Sequence, residues 1–258
     1  MKGKLFSVSL LFVTAWFMAM AGKSVREFEV GGSPHLILEN ISGDIEVTTG
    51  ASDRIIVKFT KEDDRIEVEM NQSGDRVEVK TIYPQGNFRG KGGVDFQIQF
   101  PAEGRLEVQS VSGTIKVKGV NGELGLKSVS GDVEVDNAEG RLDLSSVSGD
   151  VVMTQLGVAD VDANSISGDV EYSKGHLDGG DYSFSSTSGN VSISHSRDAS
   201  YRINGRSISG SISNRVGGDI DIHEERYSSI KSVSGNYNGG EVGLQVNTVS
   251  GNLTLSFD

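Results

Sequence analysis

A tetrad of Ser or Thr, an apolar or Thr residue, Ser and Gly, followed by a short run of alternating residues, recurs along this chain at a nearly fixed interval. It reads SVSGTIKV from Ser110, SVSGDVEV from Ser128, SVSGDVVM from Ser146 and SISGDVEY from Ser165. It continues as STSGNVSI from Ser186, SISGSISN from Ser207, SVSGNYNG from Ser232 and TVSGNLTL from Thr248. From Ser112 to Ser250 the steps between equivalent serines are 18, 18, 19, 21, 21, 25 and 16 residues. Self-similarity at such a period marks a stack of supersecondary units, each too small to bury an apolar face alone. An early copy, NISGDIEV from Asn40 to Val47, shows that the pattern begins before the regular array.

Within SVSGDVEVDNAEGRLDLS, from Ser128 to Ser145, Val129, Val133 and Val135 share one parity while Ser130, Asp132 and Glu134 share the other. Period-2 alternation of this kind predicts a half-buried strand with its valines inward. Asn137 to Gly140 is a turn by composition, and Leu142 with Leu144 forms a second inward pair before a corner near Ser145 and Ser146. Each repeat then supplies two or three short sides and as many corners. The expected fold is all-β, a parallel β-solenoid or β-helix of about 18–21 residues per coil, in which equivalent residues stack about 4.8 Å apart. The alternative is an antiparallel β-sandwich or meander with each Ser-Gly at a hairpin tip. Variation in step length falls at corners, Lys174 to Gly180 and Val216 to Tyr227, while tetrad and strand stay intact, which favours the solenoid.

Three regions follow. Residues 1–21 carry Lys2 and Lys4 ahead of an apolar run from Leu5 to Met20, closing on Ala19-Met20-Ala21, the grammar of a secretory signal peptide. Residues 22–109 form an irregular N-terminal β region that caps the solenoid, with a charged turn at Lys61 to Asp64 and a Gly-rich loop from Gly86 to Gly93. Residues 110–258 are the regular Ser-Gly array. Export to the periplasm or cell surface is the expectation, and with no cysteine in the sequence neither disulfides nor a lipid-anchored thiol can serve it. Loss of residues 1–21 removes two lysines and no acid, leaving 22 basic against 36 acidic residues, a net charge of −14. Such a surface repels phosphate backbones, so nucleic acid is excluded as a partner.

Glycines 113, 131, 149, 168, 189, 210, 235 and 251 call for positive φ or close approach of neighbouring coils, and the serines before them for local backbone bonding. A row of serines that binds sugar hydroxyls is the functional counterpart. The residue after glycine is Asp at 132, 150 and 169, and like charges stacked on successive coils repel unless solvated or bridged by a cation such as calcium. Solvated turn carboxylates are the simpler account, because the Gly-Gly-x-Gly-x-Asp nonapeptide of calcium-binding β-rolls is absent. No metal or cofactor site is assigned.

Nothing arranges catalytic residues. His35, His176, His195 and His223 sit in unrelated contexts, no Gly-x-Ser-x-Gly elbow occurs, and Asp63-Asp64 and Glu224-Glu225 read as solvated turn charge. Arg89 and Lys91 lie in a Gly-rich stretch with no following helix to hold an anion. Tyr172, Tyr182, Phe184, Tyr201, Tyr227 and Tyr237 cluster late in the array, where they would cover corners and the open end or, failing that, meet a ligand.

The Ser-[Val/Ile]-Ser-Gly-[Asp/Asn]-[Val/Ile] repeats behind a leader resemble the bacterial family of exported β-solenoid proteins catalogued as "putative adhesins", a domain of unknown function. The resemblance covers Asn40 to Phe257 and is strongest from Ser110 to Leu255. It implies a right-handed or similar parallel β-coil on the envelope side of the membrane, with no cofactor and no catalytic residue. Three readings follow: a non-catalytic cell-envelope binding or scaffold protein that engages a protein or glycan of the envelope; an acidic binder of cationic peptides or envelope components; and a polysaccharide-active β-helix enzyme. The first is the expectation. Open sheet edges invite pairing, so either a cap or self-association through the solenoid ends is expected.

Overall fold

The computed structural model describes residues 18–20, 23–84, 92–177, 179–224 and 228–258, so most of the leader, most of the Gly86 to Gly93 stretch and Tyr227 lie outside it. Among the described residues every regular element is a strand, and no helix is long and apolar enough to cross a membrane. The strands form two twelve-stranded sheets. Each coil places one strand in either sheet: Asn121–Ser130 and Val133–Asp136, for example, then Gly140–Ser146 and Val151–Thr154. Neighbouring coils pair in parallel and in register, with Leu124 beside Leu142 and Val133 beside Val151. This is the solenoid, not the antiparallel sandwich.

The core is a set of ladders between the sheets. Leu106, Leu124, Leu142, Val161 and Tyr182 make one; Ile115, Val133, Val151, Val170 and Val191 face it from the other sheet, and all are buried. A third short side is closed by Val120, Ala138, Leu156 and Leu177, also buried. The left-handed conformation at Asn137, Gln155 and Lys174, with φ of 55°, 57° and 54°, turns the chain into that side.

Three expectations need correction. First, the tetrad valines do not point inward: Ile41, Val111, Val129, Val147, Ile166, Ile208 and Val249 are 39 to 51% exposed, because the tetrad itself turns a corner and resets the parity between Ser128 and Val133. Second, the copy SVSGNYNG is not a coil. It lies on Lys231–Tyr237, which pairs antiparallel with Tyr201–Ser207 on one side and with Asp219–Glu224 on the other.

Third, the stack does not follow chain order at its ends. The last coil, Val242–Thr248 with Leu253–Phe257, lies between the coil of Asp181–Ser186 with Val191–His195 and that of Tyr201–Ser207 with Ile212–Asn214. At the other end Arg76–Ile82 and Val94–Phe100 sit outside the earlier pair His35–Ser42 and Ile45–Thr49. That earlier pair then stacks directly on Glu103–Ser112 and Ile115–Lys118.

Antiparallel strands finish the ends. Glu67–Ser73 covers one sheet, while Arg54–Lys61, Lys23–Glu29 and Met18–Met20 continue the other. The outermost strands of one sheet, Glu67–Ser73 and Asp219–Glu224, carry Glu67, Glu69, Asp219, Asp221 and Glu224, charges that discourage further pairing although Ile222 is exposed. The late aromatics belong to the interior rather than to corners: Tyr172, Tyr182, Phe184, Tyr201 and Tyr237 are all buried, and Tyr172 packs edge-on against Tyr182 with ring centroids 5.9 Å apart.

Candidate functional site

The tetrad rows are structural. A Cβ on Gly131 would stand 2.0 Å from the carbonyl oxygen of Gly113, and one on Gly168 would stand 2.1 Å from that of Gly149. Close approach of the coils therefore demands glycine at both positions. In the stacked coils from Ser146 onward the first residue of the tetrad is buried and donates its hydroxyl to the glycine carbonyl of the neighbouring coil, as in Ser146 to Gly131 at 2.9 Å, Ser165 to Gly149 at 2.8 Å and Ser186 to Gly168 at 2.8 Å, whereas Ser110 bonds the Ser112 carbonyl at 3.2 Å. Those hydroxyls are spent on the fold, whereas the serines directly before the glycines, such as Ser130, Ser148 and Ser167, are exposed.

The Asp row is likewise internally satisfied. Asp132 Oδ1 accepts the backbone N–H of Asp150 at 2.9 Å, Asp150 Oδ1 that of Asp169 at 2.7 Å, and Asp169 Oδ1 that of Asn190 at 2.7 Å. Asn190 Oδ1 continues to the N–H of Asn252 at 3.0 Å, and Asn252 Oδ1 to that of Ser211 at 2.9 Å. Each acceptor caps a donor that the corner leaves unpaired, which offsets the repulsion between stacked carboxylates. Among the described residues no group of three or more His, Asp or Glu side chains is arranged to hold a metal ion.

The histidines do not converge. His35 Nε2 lies 3.1 Å from Glu107, whose carboxyl is pushed up by burial but held below the usual carboxylate range by Arg105 and His35. His195 is fully buried in a ring of Tyr201, Tyr237 and Phe257. Its Nδ1–H donates to the Ser196 carbonyl at 2.7 Å, and Nε2 accepts from the Tyr201 hydroxyl at 2.9 Å. Burial pushes its pKa below the ordinary histidine value and that of the Tyr201 phenol upward, so both stay neutral. Of the paired acids, Asp63 is clamped by Arg65 at 2.7 Å and held at about 2, and Glu224 pairs with Lys231 at 2.8 Å. Arg89, Lys91 and Glu225 lie outside the described residues.

What periodicity did not single out is a trough of about 1100 Å³ on the outer face of one sheet. Seven consecutive strands line it, from Glu103–Ser112 to Tyr201–Ser207. Strict alternation puts Glu107, Gly125, Asp143, Asp162, Ser183, Gln245 and Asn204 in one outward row. Gly125 and Gly243 leave the floor without side chains. One end is charge-paired: Arg105 reaches Glu107 at 2.8 Å and Glu123 at 3.2 Å, and Lys127 reaches Asp143 at 3.2 Å. Toward the middle, Asp160, Asp162 and Asp181 have no basic side chain within ion-pair distance among the described residues. Asp160 accepts the Asp181 N–H at 3.0 Å, and Asp162 accepts from Asn164 at 2.8 Å. The outward parity of these strands was the signal available in sequence. The arrangement offers a long, solvated groove whose charged lining is six acids and four bases, Arg141 and Arg202 among the latter.

Residues 39–256 match the model of the Toastrack DUF4097 family. Solved structures that match the chain include a "putative cell adhesion protein" of Clostridium sporogenes, 12% identical, TM-score 0.37, covering 92% of this chain and 99% of that one. A "putative adhesin" of Bacteroides fragilis is 14% identical at TM-score 0.40, covering 90% and 96%. Another, of Parabacteroides merdae, is 12% identical at TM-score 0.41, covering 92% and 96%. No curated protein matches the chain.

Proposed function

The chain belongs to the Toastrack DUF4097 family, and on that premise we propose that it is a non-catalytic binding or scaffold module of the cell envelope. The observation that carries the reading is the trough, an open groove of polar side chains laid across seven rigid, backbone-paired strands. Six steps of about 4.8 Å make it about 29 Å long, enough for an extended peptide or glycan of the envelope. Its outward side chains stand on strands rather than loops, so a partner meets a pre-ordered surface and loses less free energy to ordering. Export to the periplasm or surface fits the leader: Lys23–Glu29 begins just past the expected cleavage after Ala21, and among the described residues cleavage there removes only the edge strand Met18–Met20.

The experiment is capture from an envelope extract with the protein and with a variant carrying Arg141→Ala, Asp162→Ala and Asn204→Ala. A partner enriched by the first and lost by the second is expected. Equal capture by both, or none by either, overturns the reading. Hydrolysis of uronate polymers or peptidoglycan by the protein would overturn its non-catalytic half.

The unpaired carboxylates of Asp160, Asp162 and Asp181 favour a more specific version, in which cationic peptides or envelope components are drawn in by long-range attraction. Binding should then weaken as ionic strength rises from about 0.01 M to 0.15 M, as the Debye length shrinks from about 30 to 8 Å. Binding indifferent to salt sinks this version while leaving the general one standing.

A further inference from the structure

The outward corner of each tetrad carries an aliphatic side chain in seven of eight stacked coils. In stack order these are Ile41, Val111, Val129, Val147, Ile166, then Thr187, then Val249 and Ile208. Backbone bonds carry the coil-to-coil ladder through the corner, for instance Ser148 N–H to the Val129 carbonyl at 2.9 Å and Ser167 N–H to that of Val147 at 3.0 Å. The side chains therefore form a straight ridge, seven steps of about 4.8 Å or about 34 Å long. A solvated corner has no need of so continuous an apolar row, and contiguous apolar surface on a soluble protein marks a contact.

The two flanks of the ridge differ in kind. On the side of the sheet that bears the trough run Gln109, Lys127, Ser145, Asn164, Ser185 and Asn247, continued by Arg206 at one end and at the other by Glu39, the one carboxylate of the row, which is paired with Lys80 at 2.6 Å. On the other side run Asp132, Asp150, Asp169, Asn190 and Asn252, with their acceptor oxygens. We propose that the ridge is a self-association seam, in which two copies of this chain pair ridge to ridge about a two-fold axis running along it. That axis sets each ridge residue against its own counterpart and lays the donor flank of one copy over the carboxylate flank of the other. The opposite, antiparallel pairing would set Asp150 against Asp169 twice at its centre. A second copy is also the one partner whose spacing matches the ridge at every step. From Lys127 to Asp132 the strip is five steps of about 3.3 Å wide, about 16 Å, and so covers about 540 Å². That is below the roughly 800 Å² per partner of a standard interface, so the dimer is reversible rather than obligate.

The seam borders the trough at Gln109 and Lys127 but does not depend on its reading. The test is sedimentation velocity over a concentration series of the protein and of a variant with Val129→Thr, Val147→Thr and Ile166→Thr. Threonine keeps the branched shape but not the apolar surface. The protein is expected to move from monomer to dimer with concentration, and the variant to dimerise roughly tenfold more weakly or worse with an unchanged melting temperature. A monomer at every concentration overturns the proposal. So does a variant that melts lower yet associates equally, which would make the ridge a packing device only. The chain has no cysteine, so V129C alone, oxidised by copper phenanthroline, should yield a self-linked dimer. Linkage of V129C only to a T187C partner would instead establish the antiparallel arrangement and overturn the axis. Flotation of the monomer on phosphatidylcholine vesicles, lost in the threonine variant, would assign the ridge to lipid and overturn it as well.

Discussion

A Cβ on Gly149 would lie 2.3 Å from the carbonyl oxygen of Gly131, whereas one on Gly125 would meet nothing closer than 3.9 Å. Gly149→Ala is expected to lower the unfolding free energy by about 1–3 kcal/mol or more through overpacking against backbone. Gly125→Ala should leave it unchanged or raise it by up to about 1 kcal/mol by restricting the unfolded chain. Urea melts of the two variants make the comparison. The buried tetrad serines allow a second one. Ser146 donates to Gly131, but the Ser128 hydroxyl has no hydrogen-bond partner. Ser146→Ala should cost about 0.5–1.5 kcal/mol and Ser128→Ala nothing, or even stabilise.

His195 makes stability depend on pH. Its folded pKa lies below the ordinary histidine value because burial disfavours the cation, so the unfolded chain binds the extra proton first. Its contribution is complete above about pH 6.5 and is lost as pH falls through the folded value. The melting temperature should fall on acidification from pH 7 to pH 5, and less steeply for His195→Gln.

At the scale of the element, parallel stacking was legible and neighbour order was not. The tetrad with its strand predicted coils because glycine, buried serine and alternating apolar residues recur together, as Ser146, Gly149 and Val151 do. Every coil edge, however, presents nearly the same ladder of backbone groups and branched side chains. Nothing in TVSGNLTL therefore says that it pairs with STSGNVSI, 62 residues earlier by the Asn190 to Asn252 bond, rather than with SVSGNYNG just before it. The outward turn of Val129 was hidden for a related reason: the corner resets the parity between Ser128 and Val133, and a count along the chain crosses it unawares. The trough escaped notice because its residues, such as Asp143 and Asp162, share only the outward parity that any exposed strand face has.

The internal position of the last coil has a measurable effect. Amides of Val242–Thr248, paired on both sides, should exchange more slowly than those of Asp219–Glu224, which is paired on one side only. Equal protection in the two strands would contradict the observed order.

For the whole molecule the acid excess is the leading long-range term. Several close pairs, such as Lys116 with Glu134 at 2.9 Å and Lys118 with Asp136 at 3.0 Å, are surface contacts worth little each. The formal net charge of −12, or −14 without residues 1–21, spreads repulsion over both sheets. Raising ionic strength from about 0.01 M to 0.15 M should therefore increase the melting temperature, because it screens the repulsion more than it weakens the pairs.

A final consequence comes from Val242–Phe257 entering between two coils that precede it in the chain. The segment works as a keystone: until it emerges, Tyr201–Asn214 has no permanent seat, so a polypeptide threaded out amino end first can close its far end only at the last moment. The same geometry governs how such a protein could lengthen. New turns appended at the tail would prise the keystone loose, whereas copies spliced between Ser110 and His195, where the steps are most regular, would extend the column and leave both locks intact.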